Sequence, residues 1–176
     1  MRRMKWVAPI AIALAGVAAL SWQLAAADKD EDDDDAQLSA KELNDAKVAL
    51  EDGLKASEAQ GTPISAKYEM EKGKLQLSVY TAKGDKFSEV IVDHKTGKIA
   101  KTETITGGDD LKDAQAQNAA MAKAKDSLRA AVGKAVAANK GFRAVSAVPK
   151  LDGDHPVAQI TLVKGSESHT VTQKLD

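Results

Sequence analysis

The amino-acid sequence predicts an α+β protein made of two tandem helix-then-antiparallel-sheet repeats, and three observations lead there. Leu75, Leu77 and Val79 alternate with Gln76, Ser78 and Tyr80, and Val90 and Val92 resume that alternation after Gly84-Asp85. This period of two is the pattern of antiparallel strands with one buried face. Ahead of each strand group lies an apolar stripe at helical spacing, opened by residues suited to capping a helix. Finally, sliding the sequence by 81 residues lays Ser65-Ala66 on Ser146-Ala147, Lys83-Gly84 on Lys164-Gly165 and Val90 on Val171, with Ile64 over Val145 and Val79 over Ile160 as near matches. The identities fall at strand starts and at a hairpin turn, in the same order of elements, which is how a degenerate tandem repeat reads.

From the N-terminus, Met1-Arg2-Arg3-Met4-Lys5 is basic, Trp6 to Leu20 is almost wholly apolar, and Ala25-Ala26-Ala27 supplies small residues where a signal peptidase reads. Residues 1–27 are therefore expected to be a signal peptide cleaved after Ala27, leaving the rest periplasmic or secreted. The alternative is an anchor in the inner membrane formed by residues 6–27, with Trp22 at the interface. The membrane is a partner only on that alternative. Residues 28–37 form an acidic linker around Asp28-Lys29-Asp30-Glu31-Asp32-Asp33-Asp34-Asp35, a run that repels itself and cannot pack. The whole chain has formal charge −1; without Arg2, Arg3 and Lys5 it stands at −4, of which the tract supplies −6. The folded remainder is slightly basic.

The first repeat, residues 38–106, is expected to open with Ser39-Ala40-Lys41-Glu42 as a capping box and a helix carrying Leu43, Ala46, Leu50 and Leu54 on one stripe as far as Gln60. Gly61 suits a left-handed position beyond that helix, Pro63 stops it, and strands begin near Ile64. The second repeat, residues 107–176, starts at Gly107-Gly108, where Asp109 or Asp110 can cap a long helix. Its stripe is Leu111, Ala114, Met121, Ala124, Leu128 and Ala135, and it ends about Asn139 to Gly141. Pro156 is expected to interrupt the strand that corresponds to Leu75.

The turn with the richest local chemistry is Asp93-His94-Lys95-Thr96-Gly97-Lys98. A carboxylate at its start can accept from amides a few residues on, and Gly97 closes it before Ile99 resumes the strand. The run Val90-Ile91-Val92-Asp93-His94-Lys95-Thr96-Gly97-Lys98-Ile99 resembles the V-x-V-D-x-x-T-G-K-hydrophobic signature of PepSY domains, modules of secreted peptidase propeptides and bacterial envelope proteins. The resemblance covers roughly Leu38 to Thr106, and the second repeat has no counterpart of the turn. It implies a PepSY-like fold in which Val92, Asp93, Thr96, Gly97 and Lys98 serve the structure of the turn. It also implies a non-catalytic role: binding, and modulating or inhibiting, a peptidase or another envelope protein.

Composition narrows the alternatives. Aromatic residues make up only 3% of the chain, leaving little surface for stacking bases, and nucleic acid is not expected as a partner. There is no cysteine, which excludes disulfides, thiolate metal sites and thiol nucleophiles. The histidines His94, His155 and His169 lie in no metal-ligand spacing, and no phosphate-binding or nucleophile-elbow motif occurs. No catalytic, metal or cofactor-binding residue is therefore expected. The rival functional class is a metal-binding periplasmic protein or small metal-dependent enzyme using Asp152, Asp154 and His155, or the acidic tract. Against it, Asp152-Gly153-Asp154-His155-Pro156 also reads as a hairpin loop. If the helix covers the Leu77 face of the sheet, then Gln76, Ser78 and Tyr80 lie on the other, either as the expected partner surface with Tyr80 its amphipathic anchor or with Tyr80 covering the second repeat. The oligomeric state is open.

Overall fold

The period-two segments pair into one sheet rather than two. The structure, a computed structural model, describes Leu38 and residues 40–176. The elements are α1 (Ala40–Leu43), α2 (Leu50–Ser57), β1 (Thr62–Glu71), β2 (Lys74–Lys83), β3 (Lys86–Val92), β4 (Ile99–Ile105), α3 (Gly108–Lys123), α4 (Leu128–Ala138), β5 (Arg143–Asp152), β6 (His155–Lys164) and β7 (Glu167–Lys174). All neighbouring strands are antiparallel, in the order β4-β3-β2-β1-β5-β6-β7. The protein is thus α+β with a seven-stranded antiparallel sheet. The signal-peptide or anchor segment, the acidic linker and Ser39 lie outside the described residues. No helix among the described residues is long and apolar enough to cross a membrane.

Tight turns set the register of each half. Gly73, Gly84, Gly153 and Gly165 all adopt positive φ in two-residue hairpin loops, where a side chain would be strained. Lys72, the one non-glycine residue with positive φ among those described, shares its loop with Gly73. The halves meet where β1 pairs with β5, through Ala66 opposite Ala147 and Lys67 opposite Ser146. Ala66 and Ala147 stand 81 positions apart and face each other directly. The β1–β2 register shifts between Pro63 and Ser65, and the β5–β6 register shifts between Ala144 and Ser146, again 81 positions apart.

The sheet is covered on both faces. Over one face lie α2 and α4, and their Leu50, Leu54, Leu128, Ala131 and Val132 join Leu77, Val79, Val90, Ala147, Ile160 and Leu162 in a single core spanning the β1–β5 join. The Ala66–Ala147 pair at that join keeps the sheet surface low beneath the two helices. Across the opposite face runs α3. There Ala114 packs with Ile64, Tyr80, Ala82 and Phe87, flanked by Leu111, Met121 and Ile105. The bulge near Ile64 lets both Ile64 and Ser65 address α3, and Ser65 Oγ donates to Gln117 Oε1 at 2.6 Å.

Several expectations need correction. The first helix does not run unbroken to Gln60, because α1 ends at Leu43 and α2 begins at Leu50. The amides of Lys47 and Val48 are drawn out of helical pairing by the carbonyl of His94, at 2.9 and 3.0 Å. Leu43, Ala46, Leu50 and Leu54 are all buried, so the apolar stripe persists although the backbone breaks within it. The second helix breaks in the same way. Ala124 is extended, the amides of Lys125 and Asp126 donate to the carbonyl of Leu175 at 2.6 and 3.0 Å, and Ser127 caps α4 through Ala130 N. Neither Asp109 nor Asp110 caps α3, whose N-cap is Gly107 without a side-chain bond; Asp109 pairs with Lys112 at 3.0 Å instead. Gly61 is close to fully extended at φ +159 rather than left-handed. A Cβ there would lie 2.7 Å from the Ala82 carbonyl oxygen, so close approach is what requires glycine. Pro156 does not interrupt its strand. It is the second residue of β6, opposite Leu151, and its carbonyl accepts from Leu175 N at 3.0 Å.

Candidate functional site

The turn after β3 is assembled by its own first residue. Asp93 Oδ1 accepts from Lys95 N at 3.0 Å, Thr96 N at 2.7 Å and Thr96 Oγ1 at 2.9 Å. Main-chain bonds close it: Asp93 N donates to Lys98 O, and Gly97 N to Asp93 O, each at 2.8 Å. Gly97 takes φ +73, and Lys98 N lies 3.4 Å from Thr96 Oγ1. These donors, the Thr96 amide first, hold the Asp93 carboxyl below its ordinary range. Val92, buried in the core opposite Ile99, fixes the entry to the turn. The next carbonyl, that of His94, is the one that anchors the α1–α2 link. The turn therefore positions a helix as well as a hairpin.

The expected partner surface is divided by α3. Tyr80 is only 4% exposed and Ser78 fully buried, so neither is available as a contact surface. Tyr80 is packed under α3, among Ile64, Phe87 and Ala114. The face opposite α2 carries a second layer, which the strand pattern of β2 alone does not announce. Farther along this face the groups form a polar row. Gln76 Nε2 donates to Ser78 Oγ at 2.8 Å and to Glu89 Oε1 at 3.3 Å, Ser78 Oγ donates to Glu69 Oε1 at 2.6 Å, and Lys67 pairs with Glu69 at 2.7 Å. This row crosses β1, β2 and β3, joining Gln76 and Ser78 as the expectation did but separating them from Tyr80.

The Asp152–Pro156 segment is a hairpin. Asp154 pairs with Lys123 at the end of α3, at 3.1 Å, and His155 Nδ1 lies 2.8 Å from Asp176 Oδ2. Lys123 lowers the pKa of Asp154, and His155 that of Asp176. Asp154 and His155 thus turn to different partners, with Asp152 joining neither pair. Among the described residues no group of three His, Cys, Asp or Glu side chains gathers as metal ligands would. An open cleft of about 550 Å³ between the α2–β1 link and the β2–β3 hairpin is lined by Glu58, Thr62, Lys83 and Ser127, without a convergent set of reactive groups.

One organising residue was missed in the sequence. Arg143, at the start of β5, donates from Nη1 to the carbonyls of Leu43 and Ala46, each at 3.1 Å, and from Nη2 to that of Val48 at 3.3 Å. Its guanidinium lies 5.5 Å from the Tyr68 ring centroid, and the Tyr68 hydroxyl donates to the same Val48 carbonyl. Burial pushes the Tyr68 pKa up to about 12, partly offset by Arg143. No local pattern marks an arginine that serves carbonyls about a hundred positions away.

Comparison with known proteins gives no match to a family model, a curated protein or a solved structure.

Proposed function

We propose that this chain is an exported, non-catalytic protein-interaction module of the PepSY kind, made of two helix-then-sheet repeats, that binds and modulates a peptidase or another envelope protein. The observation that carries the reading is the Asp93–Lys98 turn. Its carboxylate gathers the Lys95 and Thr96 donors, and it follows a helix and three antiparallel strands in the order of the resembled family. Support for the repeat comes from main-chain correspondence. The register shifts near Ile64 and Val145 and the Ala66–Ala147 pair share the 81-residue offset. The paired amides of Lys47 and Val48 correspond to those of Lys125 and Asp126, at an offset of 78, and the N-caps Ala49 and Ser127 share it. α4 is three residues longer than α2 (11 against 8), which accounts for the slip between helices and strands. The basic, apolar, small-residue order of residues 1–27 supports export.

The test is capture from an envelope extract of the source organism on the immobilised chain, followed by calorimetry with the purified retained protein. Stoichiometric binding of one envelope protein, with a change in its activity or folding, is the expected result. Failure to retain any envelope protein, or tight stoichiometric binding of calcium, zinc or copper by the chain itself, would overturn the reading. Intact-mass measurement on protein from its native host checks export independently: the expected mature chain begins at Asp28.

A further inference from the structure

We propose that β4 is a self-complementary edge, at which a second copy of this chain adds its own β4 antiparallel about a two-fold axis through Thr102. Both end strands of the sheet, β4 and β7, lack a neighbour on one side among the described residues. An edge is a template for further strand pairing, and what it accepts depends on how its charges fall under the pairing geometry. Two antiparallel copies of one strand are related by an axis perpendicular to the sheet. Each residue then keeps its face, so only residues an even number of positions apart can stand opposite one another.

The β4 sequence, Ile99-Ala100-Lys101-Thr102-Glu103-Thr104-Ile105, meets this rule. Lys101 and Glu103 share a face, two positions apart, and already pair within the strand at 2.7 Å with side chains 59% and 41% exposed. An axis through Thr102 sets Lys101 opposite the second copy's Glu103, and Glu103 opposite the second copy's Lys101. Two cross-strand ion pairs form around a threonine pair. Glu103 also stands directly across from Glu89 on β3. The register shift between Ile91 and Val92 leaves Ala100 bulged at one end of β4, so pairing centres on residues 101–103.

The other edge does not meet the rule. On β7 the charged ends Glu167 and Lys174 are seven positions apart and lie on opposite faces, so no two-fold pairing brings them together. Between them stand Ser168, His169, Thr170, Val171, Thr172 and Gln173, which offer β4 no counter-charges for a head-to-tail contact. The geometry thus selects β4 with β4 and closes the assembly at two copies.

The chain contains no cysteine, which makes the test direct. Thr102→Cys places two thiols across the axis, with Cα atoms at the roughly 4.5–5.5 Å of opposed residues, inside the disulfide range. Mild oxidation of the purified chain should convert most of this variant to a disulfide-linked dimer, while Thr170→Cys on β7 stays largely monomeric. Sedimentation equilibrium up to about 1 mM should show a weak monomer–dimer equilibrium that dissociates with added salt. Lys101→Glu should weaken the dimer at least tenfold by opposing two acids, and Lys101→Glu with Glu103→Lys should restore it, since the exchanged pair is again complementary. These positions are exposed, and circular dichroism of each variant checks that it remains folded. A monomer throughout, equal cross-linking at residues 102 and 170, or a Lys101→Glu effect that Glu103→Lys does not reverse would each overturn the proposal.

Discussion

In the first half of the molecule β3 runs into the Asp93 hairpin, whereas in the second β7 runs into Leu175, and yet the carbonyls of His94 and Leu175 accept matching pairs of amides from an inter-helix link. The side chains around those carbonyls differ almost completely. On the first side they belong to a turn organised by a carboxylate, and on the second to a strand end followed by Asp176, which pairs with His155. The helix–sheet contacts show the same relation. Gly53 of α2 lies against Leu77, and at the corresponding positions the second half carries Ala131 and Ala158. Where one half has a small helix residue over a large strand residue, the other has two of intermediate or small size. The comparison teaches that the two halves can make matching main-chain bonds at these points while each fills its own volume.

Arg143→Ala should break the comparison most severely, because Arg143 of the second half holds three carbonyls of the α1–α2 link in the first. Hydrogen bonds to charged groups contribute about 1.5–3 kcal/mol, and with partial rehydration of the carbonyls the expected loss is about 2–3 kcal/mol. Chemical denaturation measures the loss. Hydrogen exchange should show it concentrated at Lys47 and Val48, with Lys125 and Asp126 keeping their protection.

The volume exchange is sharpened by Gly53→Ala, which writes the residue of the second half into the first. The new Cβ would lie 2.5 Å from Leu77 Cδ2, inside a filled core. Overpacking of this kind costs about 1–3 kcal/mol, more than the roughly 1 kcal/mol that alanine gains over glycine in a helix. Adding Leu77→Ala should cost less than the two single effects combined, since Ala131 and Ala158, both buried, stand at the corresponding positions of the second half. Additive losses would refute the volume argument.

Asp93→Asn tests the turn that the second half lacks. The folded pKa of Asp93 is depressed, so its contribution is present above the unfolded value of about 3.9 and is lost as pH falls through the folded value. The variant should melt a few degrees lower at neutral pH, and the gap should close as acidification carries the pH below the unfolded value and through the depressed folded one. Asp154 and Asp176 titrate in the same direction, but they are present in both proteins and cancel in the difference.

The smallest expected effect has the opposite sign. Ala49 and Ser127 are corresponding N-caps with nearly the same backbone, φ −73 and ψ 155 against φ −70 and ψ 152, but only Ser127 accepts an amide bond. Ala49→Ser should therefore stabilise the protein by about 0.5–1 kcal/mol, read as a raised denaturation midpoint. No gain would mean that the two helix starts are less alike than their dihedral angles.

What the sequence by itself determined is what short-range chemistry decides. The alternation of Leu75, Leu77 and Val79 made a strand with Leu77 and Val79 buried, Asp93 to Lys98 carried the donors and acceptor of their own turn, and the hairpin glycines supplied positive φ where two-residue loops need it. The 81-residue offset seen in the sequence also separates Ala66 from Ala147 and the two register shifts, because strand register is tied to turn position. The tertiary structure alone decided where the helices break, since the carbonyls that take the amides of Lys47, Val48, Lys125 and Asp126 belong to residues far along the chain. It also decided the fate of Tyr80. A strand's outward face looks the same in sequence whether water or a helix covers it, and the course of α3 across the sheet was set by packing of Ala114 on Tyr80, Ile64 and Phe87. Arg143 belongs with these, because its three acceptors are backbone oxygens, and backbone oxygens leave no mark on the residues that carry them.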